Sequence, residues 1–99
     1  MPGIPNDETI DKMESLLNIA SDSTRLKILY AISDQEKSVS EIVELVGASQ
    51  SLVSHQLQVL RAAHLVSTRK DGTRVFYSLD DDHVNRLLTL VYEHVNEEK

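Results

Sequence analysis

Ninety-nine residues without a cysteine make one small domain, 1–99, and exclude disulfides, thiolate metal sites and thiol redox chemistry. The apolar content of 40% suits a globular core, while no apolar run approaches the roughly 20 residues of a membrane span. The polar start MPGIPNDETI is not a signal peptide, so the expectation is a cytoplasmic protein with no membrane partner. The net charge of −6 is segregated: residues 1–47 hold nine acids and four bases, and residues 80–99 hold six and two. Residues 48–79 set Arg61, Arg69, Lys70 and Arg74 against Asp71 alone, a basic middle that the whole-chain charge hides.

Two prolines and a glycine make residues 1–6 a frayed arm. From Asp7 to about Ala20, Ile10, Met13, Leu17 and Ala20 form a helical stripe, which can pack on its own domain or on a partner chain. Ser21-Asp22-Ser23 offers caps for a second helix, Thr24 to about Ile32, with Leu26, Ile28, Leu29 and Ile32 as core. Ser33 to Lys37 reads as a polar loop. A third helix follows, with Ser38 or Ser40 as cap, Ile42, Val43, Leu45 and Val46 inward, and Gly47 as its stop.

Ser49 can cap a fourth helix, Gln50 to about Ala63. Two helices joined by a short turn containing glycine predict a helix-turn-helix over 38–63. Leu52, Val53, Leu57, Val59 and Leu60 occupy an arc of about 160° on this helix. Gln50, Ser51, Ser54, His55, Gln58 and Arg61 lie opposite, with no acid among them to repel DNA. An ordinary solvated face is the bland alternative, but an acid-free polar face is unusual in a chain this acidic. Periodicity gives no reason for Gln56, which falls inside the apolar arc.

After His64 the period changes. Val66, Thr68, Thr73, Val75 and Tyr77 fit strands, and Asp71-Gly72 signals a hairpin over 65–79 with Arg69, Lys70 and Arg74 at its tip. A basic hairpin after a helix-turn-helix predicts a winged helix whose wing reaches phosphates or a minor groove.

The last helix, 80–97, carries the stripe Val84, Leu87, Leu88, Val91 and Val95, with His83, His94 and Glu97 roughly 100° round from it. His83 and His94 stand about 16 Å apart along the axis, too far to hold one ion in a single chain. Pairing the helix antiparallel with a copy of itself changes this. The pairs 83/94 and 81/97 share a midpoint near Leu88 and Thr89, so one two-fold axis brings Asp81 and His83 of one chain to His94 and Glu97 of the other. The competing reading is a pair of surface histidines beside an acidic helix cap.

The chain resembles the ArsR/SmtB family of metal-responsive repressors over most of its length, through DSTRLKILYAI, SQSLVSHQLQVLRAAHLV and RKDGTRVFYSLDDDHV. That resemblance implies a mainly α winged helix of four helices, a β-hairpin wing and a C-terminal helix, forming a homodimer through its first and last helices. It implies binding to double-stranded operator DNA through Ser49, Gln50, Ser51, Ser54, His55, Gln58, Arg61 and the wing residues Arg69, Lys70 and Arg74. Zinc sensors of the family resemble this chain in Asp-x-His at the start of the last helix and His-x-x-Glu at its end, here Asp81, His83, His94 and Glu97. Arsenic, cadmium, lead and polysulfide sensors use cysteines, which this chain lacks.

Two imidazoles and two carboxylates suit tetrahedral Zn(II), with Co(II) as a surrogate; hexacoordinate Ni(II) wants more ligands. Glu98 can substitute for Glu97. The resemblance also implies that His94 links to the backbone carbonyl near His64, and that zinc lowers DNA affinity. The expected function is a zinc-released repressor; the alternative is a metal-independent winged-helix regulator with structural surface histidines. An enzyme is not expected, nor a small-molecule substrate: there is no Gly-rich phosphate loop, HExxH or cysteine nucleophile.

Overall fold

A computed structural model describes residues 3–97. The order is α1 (Asp7–Ala20), α2 (Ser23–Ala31), β1 (Lys37–Ser38), α3 (Val39–Val46), α4 (Gln50–Ala62), β2 (Val66–Asp71), β3 (Arg74–Leu79) and α5 (Asp82–Val95). Each helix begins where a side chain accepts an otherwise orphaned backbone N–H. Asn6 takes that of Thr9, Asp22 that of Arg25, Ser49 that of Leu52 and Asp81 that of Val84. Ser38 and Glu41 cap α3 reciprocally, and Gly47, at φ 76°, ends it in the left-handed region.

The core is built chiefly by α2, α3 and α4. Ile28, Leu29, Ile32, Ile42, Val53, Leu57 and Leu60 are buried there, joined by Leu65, Val66, Val84 and Leu88. The wing is one strand richer than the expected hairpin: β1 pairs antiparallel with β3, giving the order β1-β3-β2. Lys37 lies in the segment read as a polar loop, yet it is buried. Its Nζ donates to the Ala31 carbonyl and to Asp34 Oδ1, both at 2.6 Å, so the amine satisfies the end of α2.

Of the two places open to the α1 stripe, Ile10, Met13 and Leu17 face outward, away from the protomer's own core, on which Leu16 and Ile19 pack. Several other sequence expectations need correction. Leu45, expected inward, is 61% exposed, because Ile42, Val43 and Val46 already fill the inner arc of α3. Leu52, at the margin of the α4 arc, is exposed as well. The hairpin loop is Gly72-Thr73, with Asp71 paired to Arg74, so Thr73 is in the turn rather than a strand. Finally, α5 spans 82–95, shorter than 80–97, because Asp81 is its extended N-cap.

Gln56 acquires a reason. Arg25 Nε donates to its Oε1, and Arg25 Nη1 reaches the Ile19 carbonyl at 3.3 Å, so this polar pair joins α4, α2 and the end of α1. A polar residue within an apolar arc is tolerated when its hydrogen bond is made.

Candidate functional site

The polar face of α4 stands clear of the core. Gln50, Ser51, His55, Gln58 and Arg61 are exposed and Ser54 is half-buried. Ser49 caps the helix as an acceptor, at 3.1 Å from the Leu52 nitrogen, which leaves its O–H free to donate. A cleft of 370 Å³ runs between this helix start, the start of α3 and the wing, and Ser40, Gln50, Thr73 and Arg74 are among its lining residues. The sequence suggests Ser40 as a helix cap and Thr73 as a strand residue, and neither as part of a site. Their only signal was indirect, as hydroxyls beside a helix cap and in a hairpin turn.

The three wing cations do not act as one cluster. Arg69 Nε lies 3.1 Å from each Glu36 carboxylate oxygen, and Nη2 donates to the same group. The Glu36 hydrogen bond raises the guanidinium pKa, and Arg69 in turn holds the Glu36 carboxyl below its usual range. The Arg69 Cζ sits 4.9 Å from the centroid of the Phe76 ring and that of Arg74 sits 5.0 Å from it. Lys70 is opposite Val75 and therefore points to the other face of the sheet.

The candidate metal ligands fall into two pairs at opposite ends of α5. At its start, Asp81 Oδ1 accepts the Val84 N–H at 3.1 Å, while Oδ2 lies 3.6 Å from His83 Nδ1. The backbone hydrogen bond from Val84 is the main reason the Asp81 carboxyl is held below its ordinary pKa, with His83 adding to it. At the other end, His94 Nδ1 lies 3.6 Å from Glu97 Oε2. All four side chains are solvent-exposed. Among the described residues, no group of three or more potential ligands comes together within one chain. Glu98, the alternative fourth ligand, lies outside the described residues.

His64 adopts φ 60°, a left-handed conformation that closes the end of α4; its N–H donates to the Arg61 carbonyl at 3.0 Å. Among the described residues, no hydrogen bond joins His94 to His64. The attachment of α5 to the body runs elsewhere. Tyr30 donates its hydroxyl to the Leu88 carbonyl at 2.8 Å, and Val84 and Leu88 enter the core. Between α1 and α5 an apolar groove of 220 Å³ stays open, lined by Leu17, Leu26, Tyr30, Leu87 and Val91 among others.

No helix is long and apolar enough to cross a membrane among the described residues. Residues 22–68 match the family described as bacterial regulatory protein, arsR family. The chain is 40% identical over 85 residues to the transcriptional regulator KmtR of Mycobacterium tuberculosis, covering 86% of this chain and 65% of that one, just under two thirds of its length. It is 34% identical over 96 residues to a transcriptional repressor SmtB homolog of Synechocystis, covering 97% and 73%. The homodimeric winged helix-turn-helix DNA-binding domain of Mb0332 from Mycobacterium bovis, a possible ArsR-family transcriptional regulator, superposes with a TM-score of 0.82 at 28% identity, covering 100% of this chain and 97% of that one. With its helix-turn-helix, wing and these relatives, the chain belongs to the arsR family of bacterial regulatory proteins, transcriptional regulators rather than enzymes.

Proposed function

We propose that this protein is a homodimeric, zinc-responsive repressor that binds an inverted-repeat operator and is released when Zn(II) bridges the two α5 helices. The observation that carries it is the pairing of ligands at the two ends of one helix, Asp81 with His83 and His94 with Glu97, each at 3.6 Å. Each pair supplies half of a tetrahedral set, and a second copy of α5 running antiparallel supplies the other half. The donor chemistry fits zinc: two imidazoles, two carboxylates and no thiolate. Asp81 is suited to the task because Oδ1 is committed to capping α5 while Oδ2 faces His83. A bound ion would tie the end of one α5 to the start of its partner's.

The dimer reading draws on the apolar surface left uncovered. Leu17 of α1 is 54% exposed and Val95 of α5 is 70% exposed, with the groove between the two helices open. A chain of this size gains needed apolar burial by covering such a surface. The M. bovis relative is homodimeric, which supports the same reading. Two recognition helices related by a two-fold axis would read half-sites about one helical turn apart, or a multiple of it. In each protomer Gln50, Ser51, Ser54, His55, Gln58 and Arg61 face the major groove, with the Ser49 hydroxyl and the wing beside phosphates.

Zinc can shift DNA binding only by preferring one arrangement of the dimer over another. Within a protomer the Tyr30 to Leu88 hydrogen bond offers a mechanical route, since a change in α5 pulls on α2 and through it on the core that seats α4. Cobalt substitution tests the site. Intense visible absorption of a tetrahedral centre is expected at one Co(II) per protomer, lost in His83→Ala and His94→Ala and altered in Glu97→Ala. A weak octahedral spectrum in the wild type, or none, overturns the metal reading.

A further inference from the structure

The wing carries three cations, but its geometry takes one of them away from DNA. Arg69 on β2 and Phe76 on β3 face each other, Ser38 of β1 stands opposite Phe76 on the far side, and Glu36, two residues before Ser38, reaches Arg69 diagonally across the same face. Arg69 is the direct cross-strand partner of Phe76, and β1 flanks β3 on its other side. Strand alternation puts Arg69, Arg74 and Phe76 on one face of the sheet, while Tyr77 and Leu79 on the opposite face pack against the core. Arg69 and Arg74 thus share that face and the Phe76 ring, at 4.9 and 5.0 Å from its centroid, but Arg69 is the one gripped by both oxygens of Glu36. The guanidinium fork matches a carboxylate as well as it matches a phosphate, so one occupant displaces the other. Lys70 on the other face and Arg74 at the turn, which lines the cleft with Gln50, have no such carboxylate partner among the described ion pairs.

We propose that Glu36 is a positioning residue that holds Arg69 back in an ion pair beside the Phe76 ring, so that each protomer offers DNA phosphates the charges of Lys70 and Arg74 but not of Arg69. Glu36 thereby sets the strength and salt sensitivity of DNA binding from a residue that itself never touches DNA. This inference rests on the DNA-binding reading above.

The test is the salt dependence of binding to a mixed-sequence duplex of about 30 base pairs, long enough for two half-sites, measured by anisotropy. Each phosphate contact adds about 0.9 to the slope of log K against log salt, equivalent to about eightfold in affinity at 0.1 M salt. Glu36→Gln is expected to free Arg69, steepening the slope by up to about 0.9 per protomer and tightening binding by up to about eightfold per protomer, roughly sixtyfold for the dimer. Arg69→Ala alone should leave the slope of the wild type unchanged, whereas Arg74→Ala should flatten it by about 0.9 per protomer. In the Arg69→Ala background, Glu36→Gln should lose its effect.

A flattened slope in Arg69→Ala, or no gain in Glu36→Gln, overturns the inference. An equal gain from Glu36→Gln in both backgrounds also overturns it, because Glu36 would then act as a bare repelling charge. Glu36→Ala repeats the comparison, and thermal melts of every variant confirm that folding is retained. A wild type that shows no salt-dependent binding at all fails the functional reading itself, and is told apart from the other failures by that single curve.

Discussion

Tyr30 donates its phenolic hydrogen to the carbonyl of Leu88 at 2.8 Å, joining the end of α2 to the middle of α5 across 58 residues of sequence. Leu88 is at the same time a core residue and a neighbour of the proposed two-fold axis. One side chain thus fastens the helix that would sense metal to the bundle that would hold DNA. Tyr30→Phe removes the bond while keeping the ring and its 6.5 Å approach to Tyr92. It should lower the unfolding free energy by about 1 kcal/mol in urea melts. It should also shrink the effect of zinc on DNA affinity, which a structurally neutral bond would not do.

Leu88 and Val91 stand close on one helix and should behave in opposite ways. Leu88 is 4% exposed and fills the core, so Leu88→Ala should destabilise the fold by about 2–5 kcal/mol. Val91 lines the open groove with Leu17. Leu17→Ser combined with Val91→Ser should leave the protomer folded by circular dichroism and shift sedimentation from dimer to monomer. A dimer that survives both changes would place the interface elsewhere.

Acid should loosen the start of α3. The Glu41 carboxyl, accepting from the Ser38 N–H at 2.9 Å, is held below its ordinary 4.5, chiefly by that backbone hydrogen bond and then by the Ser38 hydroxyl. A carboxyl whose folded pKa is depressed contributes stability that is present above the unfolded value and lost as pH falls through the folded one. The expected loss therefore begins near pH 4.5 and continues below it. Glu41→Gln should flatten that limb of a pH-dependent melting curve and leave the curve above pH 6 parallel to the wild type.

Local periodicity made the helices, the wing and the polar face of α4 legible, because caps, apolar spacing and a glycine turn are all written within a few residues of where they act. What it could not reveal are relationships between distant residues. Gln56 looked anomalous until Arg25 stood beside it, and Arg69 looked like a free wing cation until Glu36, 33 residues earlier, took it up. β1 was missed because two residues, one of them a buried lysine, carry no strand period. The stripe on α1 was a true helical stripe but faced away from the core, and periodicity has no way to choose between the core and an uncovered surface. For the candidate metal residues, spacing identified the two ends of α5, and the side-chain pairing within each end is what the structure adds.

The central claim is that zinc on α5 controls DNA binding, and one titration addresses it most directly. Zn(II) is added to the wild-type protein bound to a labelled duplex selected by the protein from a random pool, and anisotropy is followed alongside His94→Ala. The account predicts that zinc releases the wild type, while the variant binds DNA equally well without metal and does not respond to it. An unchanged DNA affinity in the zinc-saturated wild type would contradict the claim.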